Sequence, residues 1–303
     1  MPAFLIYLSI ILSNVTQSAS TKTFNKKNYA PLVFNVLKAT SAFLITLAFT
    51  LPGFSFHAPT LSFGLGYGAL LALSMYAGYE ALCRGPMALT SMLVSFSVVI
   101  PFIWGVTVRN EPMGLFKILA VIFLVAAIIC TNADKIFKKQ EKSQGFGVWL
   151  LFVLLTFAAN GVSSILQKEH QSLFPGQYNL EFTLFGLMVC AAVYGLLYLI
   201  SLPSRKKEPA SSADTAPSSA RIGILNAKGK LFGFLSGATT ALSGLLTLWL
   251  ASFEDASILF SIISAGGILA SLTCGKFVFK EKLKLNHYLA LVLGITSIVL
   301  MKL

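Results

Sequence analysis

Asn14-Val-Thr-Gln17-Ser18-Ala-Ser-Thr-Lys22 and Asn160-Gly-Val-Ser163-Ser164-Ile-Leu-Gln167-Lys168 repeat one polar pattern at one spacing, each inside an apolar run. Asn14, Ser18 and Lys22 stand four apart, as do Asn160, Ser164 and Lys168, and residues four apart on a helix lie above one another on one face. Each apolar segment therefore carries a polar stripe that hydrocarbon rejects, so the stripe faces protein or water. Two hydrophobic units with polar stripes turned inward are the expected build of a membrane carrier.

The surrounding composition agrees. Of 303 residues, 56% are hydrophobic and 11% charged, and the mean hydropathy is +0.78. A soluble domain carries roughly 25% charged residues. A spanning helix needs about 20 mainly apolar residues. Ten stretches qualify: Ala3 to Ala19, Ala30 to Pro52, Leu61 to Leu82, Pro86 to Val108, Leu115 to Thr131, Gly147 to Leu166, Leu180 to Leu202, Leu231 to Phe253, Ala256 to Phe277 and Leu285 to Met301. Ser18-Ala19-Ser20 mimics a signal-peptide cleavage site. No basic segment precedes it, and the matching stretch at Asn160 lies mid-chain, so the first segment is read as a span.

The net charge of +12 would suggest nucleic acid in a soluble protein. Here the basic residues sit mainly in the loops between apolar stretches. Threading ten spans leaves Lys38 inside the membrane and puts Arg109, Lys117, Lys168 and Lys302 on one side; the remaining 18 of the 23 lysines and arginines fall on the opposite side. The positive-inside rule then places the basic loops in the cytoplasm and both chain ends outside. Cys83, Cys130, Cys190 and Cys274 lie within or at the ends of apolar stretches without metal-ligand spacing, and read as small packing residues.

Two polar linkers divide the chain. Residues 134–146 separate a first five-helix unit, 1–133, from a second, 147–303. Within the second, about 203–229 contains Pro209-Ala-Ser-Ser-Ala-Asp-Thr-Ala-Pro217, too polar to bury, and is expected to be a disordered loop. Sliding the front of the chain by 146 superimposes the two ladders. Sliding the back by 170 places Gly105 on Gly275, Val108 on Val278, Glu111 on Glu281, Leu115 on Leu285, Leu119 on Leu289, Ala120 on Ala290 and Ile128 on Ile298. Five spans is an odd number, so the second copy enters the membrane from the opposite face. The expected fold is all-α: ten transmembrane helices as two inverted five-helix repeats, with a binding site near the midplane at their interface.

The run Phe279-Lys-Glu281-Lys-Leu283, followed by Leu289-Ala-Leu-Val-Leu-Gly294 and an apolar end, resembles the corner after helix nine and the last helix of the drug/metabolite transporter superfamily, EamA type. Arg109-Asn-Glu111-Pro112 answers it in the first copy, and Pro31 with Lys38 resembles that family's proline and basic residue in helix two. The resemblance covers nearly the whole chain through short architectural motifs, and implies a ten-helix permease. Family members are commonly drawn with both ends in the cytoplasm; the charge count here says the reverse.

Asn14, Gln17 and Ser18, with Asn160, Ser163, Ser164 and Gln167, would line the repeat interface, where amides and hydroxyls can hold a polar solute; helix-to-helix bonding is the alternative role. Lys38 lies about eight residues into helix two. An intramembrane charge is a functional candidate, and at a cavity it would favour an anionic substrate or pair with Glu80. Snorkelling is its alternative. Glu80 stands four before Arg84, the spacing of an ion pair, and is also the candidate for proton coupling. Tyr76, Tyr79, Trp104 and Trp249 are candidate pocket aromatics or packing residues. Gly64 with Gly68 and Gly233 with Gly237 are close-packing pairs. His57, His170 and His287 are isolated and read as surface histidines without metal spacing.

Phosphate-cradling loops, nucleophile elbows and His-Glu-x-x-His are absent from the sequence. The expectation is therefore a multi-pass plasma (inner) membrane carrier and not an enzyme. It would work without cofactor or metal, as a monomer or homodimer, and move a small polar or amphipathic substrate through the lipid bilayer. A nucleotide-sugar or phosphorylated-metabolite exchanger on the same fold is the second expectation; a lipid-modifying membrane enzyme is the third, from another class.

Overall fold

The computed structural model describes residues 3–25, 31–84, 94, 96–112, 114–136, 146–205, 227–277 and 285–301. Among these the chain is all-helical, without strands. The helices are α1 (Ala3–Asn25), α2 (Pro31–Thr50), α3 (Ala58–Arg84), α4 (Val99–Thr107), α5 (Leu115–Ile136), α6 (Phe146–Leu173), α7 (Asn179–Arg205), α8 (Ala227–Ala251), α9 (Ala256–Phe277) and α10 (Leu285–Met301). Short 3-10 turns occupy Leu51–Gly53 and Phe96–Val98.

Five segments are long and apolar enough to cross a membrane: Leu32–Gly53, Ala58–Ala81, Gly147–Leu173, Asn179–Ser201 and Gly229–Ala251. Shorter apolar helices run over Phe4–Gln17, Leu115–Ala127 and Ala256–Gly267. These are the elements of a membrane protein. Leu44, Phe49, Leu196, Leu199, Ile200, Val292, Ile295 and Val299 point outward and exposed, as lipid-facing side chains do.

Most helix ends fall where the apolar runs stop, and the departures have local causes. Pro31 opens α2, where its fixed φ suits a first helical turn and its missing N–H costs nothing. The apolar signal of the sixth stretch ends at Leu166, yet α6 continues to Leu173 because Gln167, Lys168 and Glu169 are good helix formers. This extension corrects one expectation: His170 is not a surface residue but fully buried, beside the Gln171 amide at 2.9 Å. Helix also enters both expected linkers, since α5 reaches Ile136, α7 reaches Arg205 and α8 starts at Ala227. Residues 137–145 and 206–226 of those linkers lie outside the described residues. The fourth apolar stretch is α-helical over Val99–Thr107; residues 85–93 lie outside the described set. Pro101 falls in the first turn of α4 and so interrupts no helical hydrogen bond.

The chain divides into two compact units. Unit 1 comprises Met1–Val15, Leu73–Gln177 and Thr247–Leu303; unit 2 comprises Thr16–Ala72 and Tyr178–Leu246. Each unit draws on both halves of the sequence.

In unit 1, α5 packs along α10, α4 lies against α6 and α9, and α9 also meets α10. Ser297 of α10 donates to the Ala120 carbonyl of α5 at 2.8 Å. Ala81, Trp149 and Val153 form a buried cluster. In unit 2, α2 packs along α7, and Ala42, Leu187 and Ala241 form the core. The Tyr194 hydroxyl donates to the Ala72 carbonyl at 3.0 Å. Lipid supplies no hydrophobic drive between helices, so small residues that let backbones approach set the contacts. Gly64 and Gly68 of α3 lie against Phe185, Gly186 and Val189 of α7, while Gly233 and Gly237 of α8 lie against Leu37, the Lys38 carbonyl and Ser41 of α2.

Candidate functional site

In unit 1 the polar side chains of α6 meet α3. The Asn160 side-chain oxygen accepts a hydrogen bond from the Ser74 hydroxyl. Ser163 and Ser164 both donate to the Asn160 backbone carbonyl, at 2.9 and 3.0 Å, so these hydroxyls serve their own helix. Asn14 is half-buried on α1. Tyr76 is 46% exposed with its ring edge-on to Phe152, centroids 6.2 Å apart. Trp249 is 40% exposed and stands edge-on to Phe253 at 4.8 Å. Tyr79 and Glu80 are half-buried on α3; the Arg84 side chain lies outside the described residues.

In unit 2 the Gln17 amide of α1 is held at both ends by α8. Its nitrogen donates to Ser243 at 3.3 Å and its oxygen accepts from Thr240 at 2.9 Å. The side chains of Ser18 and Lys22 lie outside the described residues. The ladder on α1 is thus divided, Asn14 belonging to unit 1 and Gln17 to unit 2. Lys38 sits on the protein-facing side of α2, in a stripe with buried Phe34, Ala42 and Thr46, whereas Thr40, Leu44 and Ala48 on the opposite side are exposed. Among the described residues its ammonium has no ion-pair partner. Lys38 of α2 and Tyr67 of α3 both lie near the buried Cys190 thiol of α7.

The comparisons with known proteins reach the fold and stop there. No family model matches the chain, and no curated protein matches it. A solved protein crystal structure, 13% identical, superposes on 98% of this chain and 95% of its own with a TM-score of 0.76.

A second polar cluster closes one end of unit 1. Asn110, in the left-handed region at φ 52°, turns the chain so that Glu111 folds back under Gly105. The carboxylate of Glu111, only 8% exposed, accepts from the backbone N–H groups of Ala256 and Ser257 at 2.8 and 3.1 Å. Those are the first amides of α9, where an anion is favoured by unpaired donors and the helix dipole. A Cβ on Gly105 would stand 2.7 Å from a Glu111 oxygen, so only glycine fits. Around this cap, Arg109 pairs with Glu169 and Ser172, Lys117 with Asp255 at 3.3 Å, and Lys168 donates to the Ala251 carbonyl at 3.1 Å and to that of Glu254. The Glu281 counterpart lies outside the described residues.

The partners of Glu111 are 145 and 146 residues away in sequence, which no local spacing signals. Asn35, 9% exposed on α2, has no signal in the sequence, because a lone amide in an apolar run carries no pattern.

Proposed function

We propose that this chain is a secondary carrier of the plasma membrane, of the drug/metabolite transporter type, moving a small polar or amphipathic solute by alternating access between two inverted five-helix repeats. The observation that carries the reading is a doubled set of helix contacts. Ser74 of α3 bonds an amide of α6, and Ser243 of α8 bonds an amide of α1. A shift of 169 relates the two serines, and the same shift relates Gly64 to Gly233 and Gly68 to Gly237. The glycines of α3 meet α7, and those of α8 meet α2. The pairs α2 with α7, α4 with α9 and α5 with α10 each join a helix to the one five places on. A twofold exchange of halves relates these contacts at the level of helix pairs, and the organisation suits rocking of one repeat against the other.

The charge pattern supports the orientation read from the loops. Three of the four cations counted on the sparsely basic side are engaged: Arg109 with Glu169, Lys117 with Asp255 and Lys168 with carbonyl oxygens. The count itself, 18 lysines and arginines against four, leaves the lysine-rich loops to hold the cytoplasmic face.

The test is uptake into proteoliposomes, scored against the amount of folded protein. Asn14→Ala and Asn160→Ala each impair uptake more than expression, and normal uptake by the double variant would sink the assignment of these residues to the cavity wall.

A further inference from the structure

Among its described residues, unit 2 holds a cation without a counter-charge. Lys38 lies in a helix long and apolar enough to span a membrane, on its protein-facing side, with no carboxylate paired to it among the described residues. The described part of unit 2 contains a single acid, Glu181, and its carboxylate accepts from the Ser55 N–H at 3.1 Å. An intramembrane charge is retained where something compensates it.

Hydrogen-bonding groups surround Lys38. Asn35 lies three residues before it on the same buried face of α2, and its carboxamide makes no hydrogen bond among the described residues. The Ser236 hydroxyl, fully buried on α8, also lacks a partner there; its neighbour Gly237 touches the Lys38 carbonyl. Tyr67 of α3, whose ring rests on Phe182 with centroids 5.1 Å apart, lies, like Lys38, near the Cys190 thiol. Helices α2, α3, α7 and α8 thus bring hydrogen-bonding groups and one positive charge into one region, and a buried hydroxyl without a partner, such as that of Ser236 among the described residues, is rare.

We infer that unit 2 binds the carboxylate of a small monoanionic organic solute, with Lys38 as counter-charge and the Asn35 amide and Tyr67 hydroxyl as hydrogen-bond donors. The charge balance selects the class. One ammonium neutralises one carboxylate, whereas a phosphate monoester carries about −1.5 to −2 at neutral pH and would leave net negative charge in the membrane. The site deepens the carrier reading by naming the class of its cargo, and rests on it for that statement alone.

The test uses the full chain purified in detergent, with thermal unfolding followed across titrations of sodium acetate, lactate and benzoate against sodium phosphate and chloride at matched ionic strength. At least one carboxylate raises the midpoint saturably while phosphate and chloride do not. Lys38→Gln weakens the apparent affinity by about tenfold or more, the scale of a charge-assisted hydrogen bond, and Lys38→Arg retains part of it. Tyr67→Phe and Asn35→Ala weaken it by smaller factors and decide the matter if Lys38→Gln fails to fold. Equal response of wild type and Lys38→Gln, as snorkelling of the lysine would give, overturns the site, as does a larger response to phosphate. Proteoliposome uptake separates the two readings. If choline or a neutral solute crosses while no carboxylate binds, the carrier stands and the site falls; if carboxylates bind through Lys38 but no solute crosses, the reverse holds.

Discussion

At the residue scale, the features that matter are polar groups whose partners lie far off in sequence. Glu111 fixes the start of α9 from a turn after α4. Removing its carboxylate orphans two buried amide donors, each worth about 1–3 kcal/mol when unsatisfied. Glu111→Ala therefore lowers the thermal midpoint of the purified protein markedly, and Gly105→Ala does so too by driving a methyl group into the same carboxylate. An unchanged midpoint for both variants would show that the cap contributes nothing. Gln17 and Asn160 were legible as polar residues on helical faces, and both do bond a hydroxyl on a neighbouring helix. That their partners would be Thr240 and Ser74 was not legible, because residues of a third or eighth helix carry no mark of what they touch. Asn35 was not legible either, since a lone amide in an apolar run carries no pattern and its neighbourhood to Lys38 follows only from the helix face they share.

At the element scale, apolar run length located the helices well, since hydrocarbon thickness and the hydrogen-bonding needs of the backbone leave few alternatives. It misjudged ends wherever helix-forming polar residues follow the apolar run, as in α6, where Gln167 to Gln171 add more than a turn and bury His170. The paired glycines were readable as packing residues, and the structure gives their partners. Gly237 meets the Lys38 carbonyl and Ser41, whereas Gly195 on α7 has open space where a Cβ would go. Gly237→Leu is expected to destabilise by about 1–3 kcal/mol through overpacking. Gly195→Ala should be neutral or gain up to about 1 kcal/mol from helix propensity. Equal thermal shifts for the two variants would contradict the packing described.

At the scale of the whole molecule, the two compact units each combine helices from both halves of the chain. With the lysine-rich loops proposed to lie in the cytoplasm, single cysteines introduced between Pro209 and Pro217, in a background without native cysteines, are expected to react with a membrane-impermeant maleimide only after the cytoplasmic face is opened. Labelling from outside in intact cells would reverse the topology.

The central claim is that the molecule carries a solute and does no chemistry on it. Purified protein reconstituted into liposomes, with uptake of labelled small solutes measured with and without a pH gradient, tests this most directly. The account predicts saturable accumulation of at least one small polar solute, recovered unmodified and absent from protein-free vesicles. Vesicles in which no solute moves while a lipid is chemically altered would contradict it.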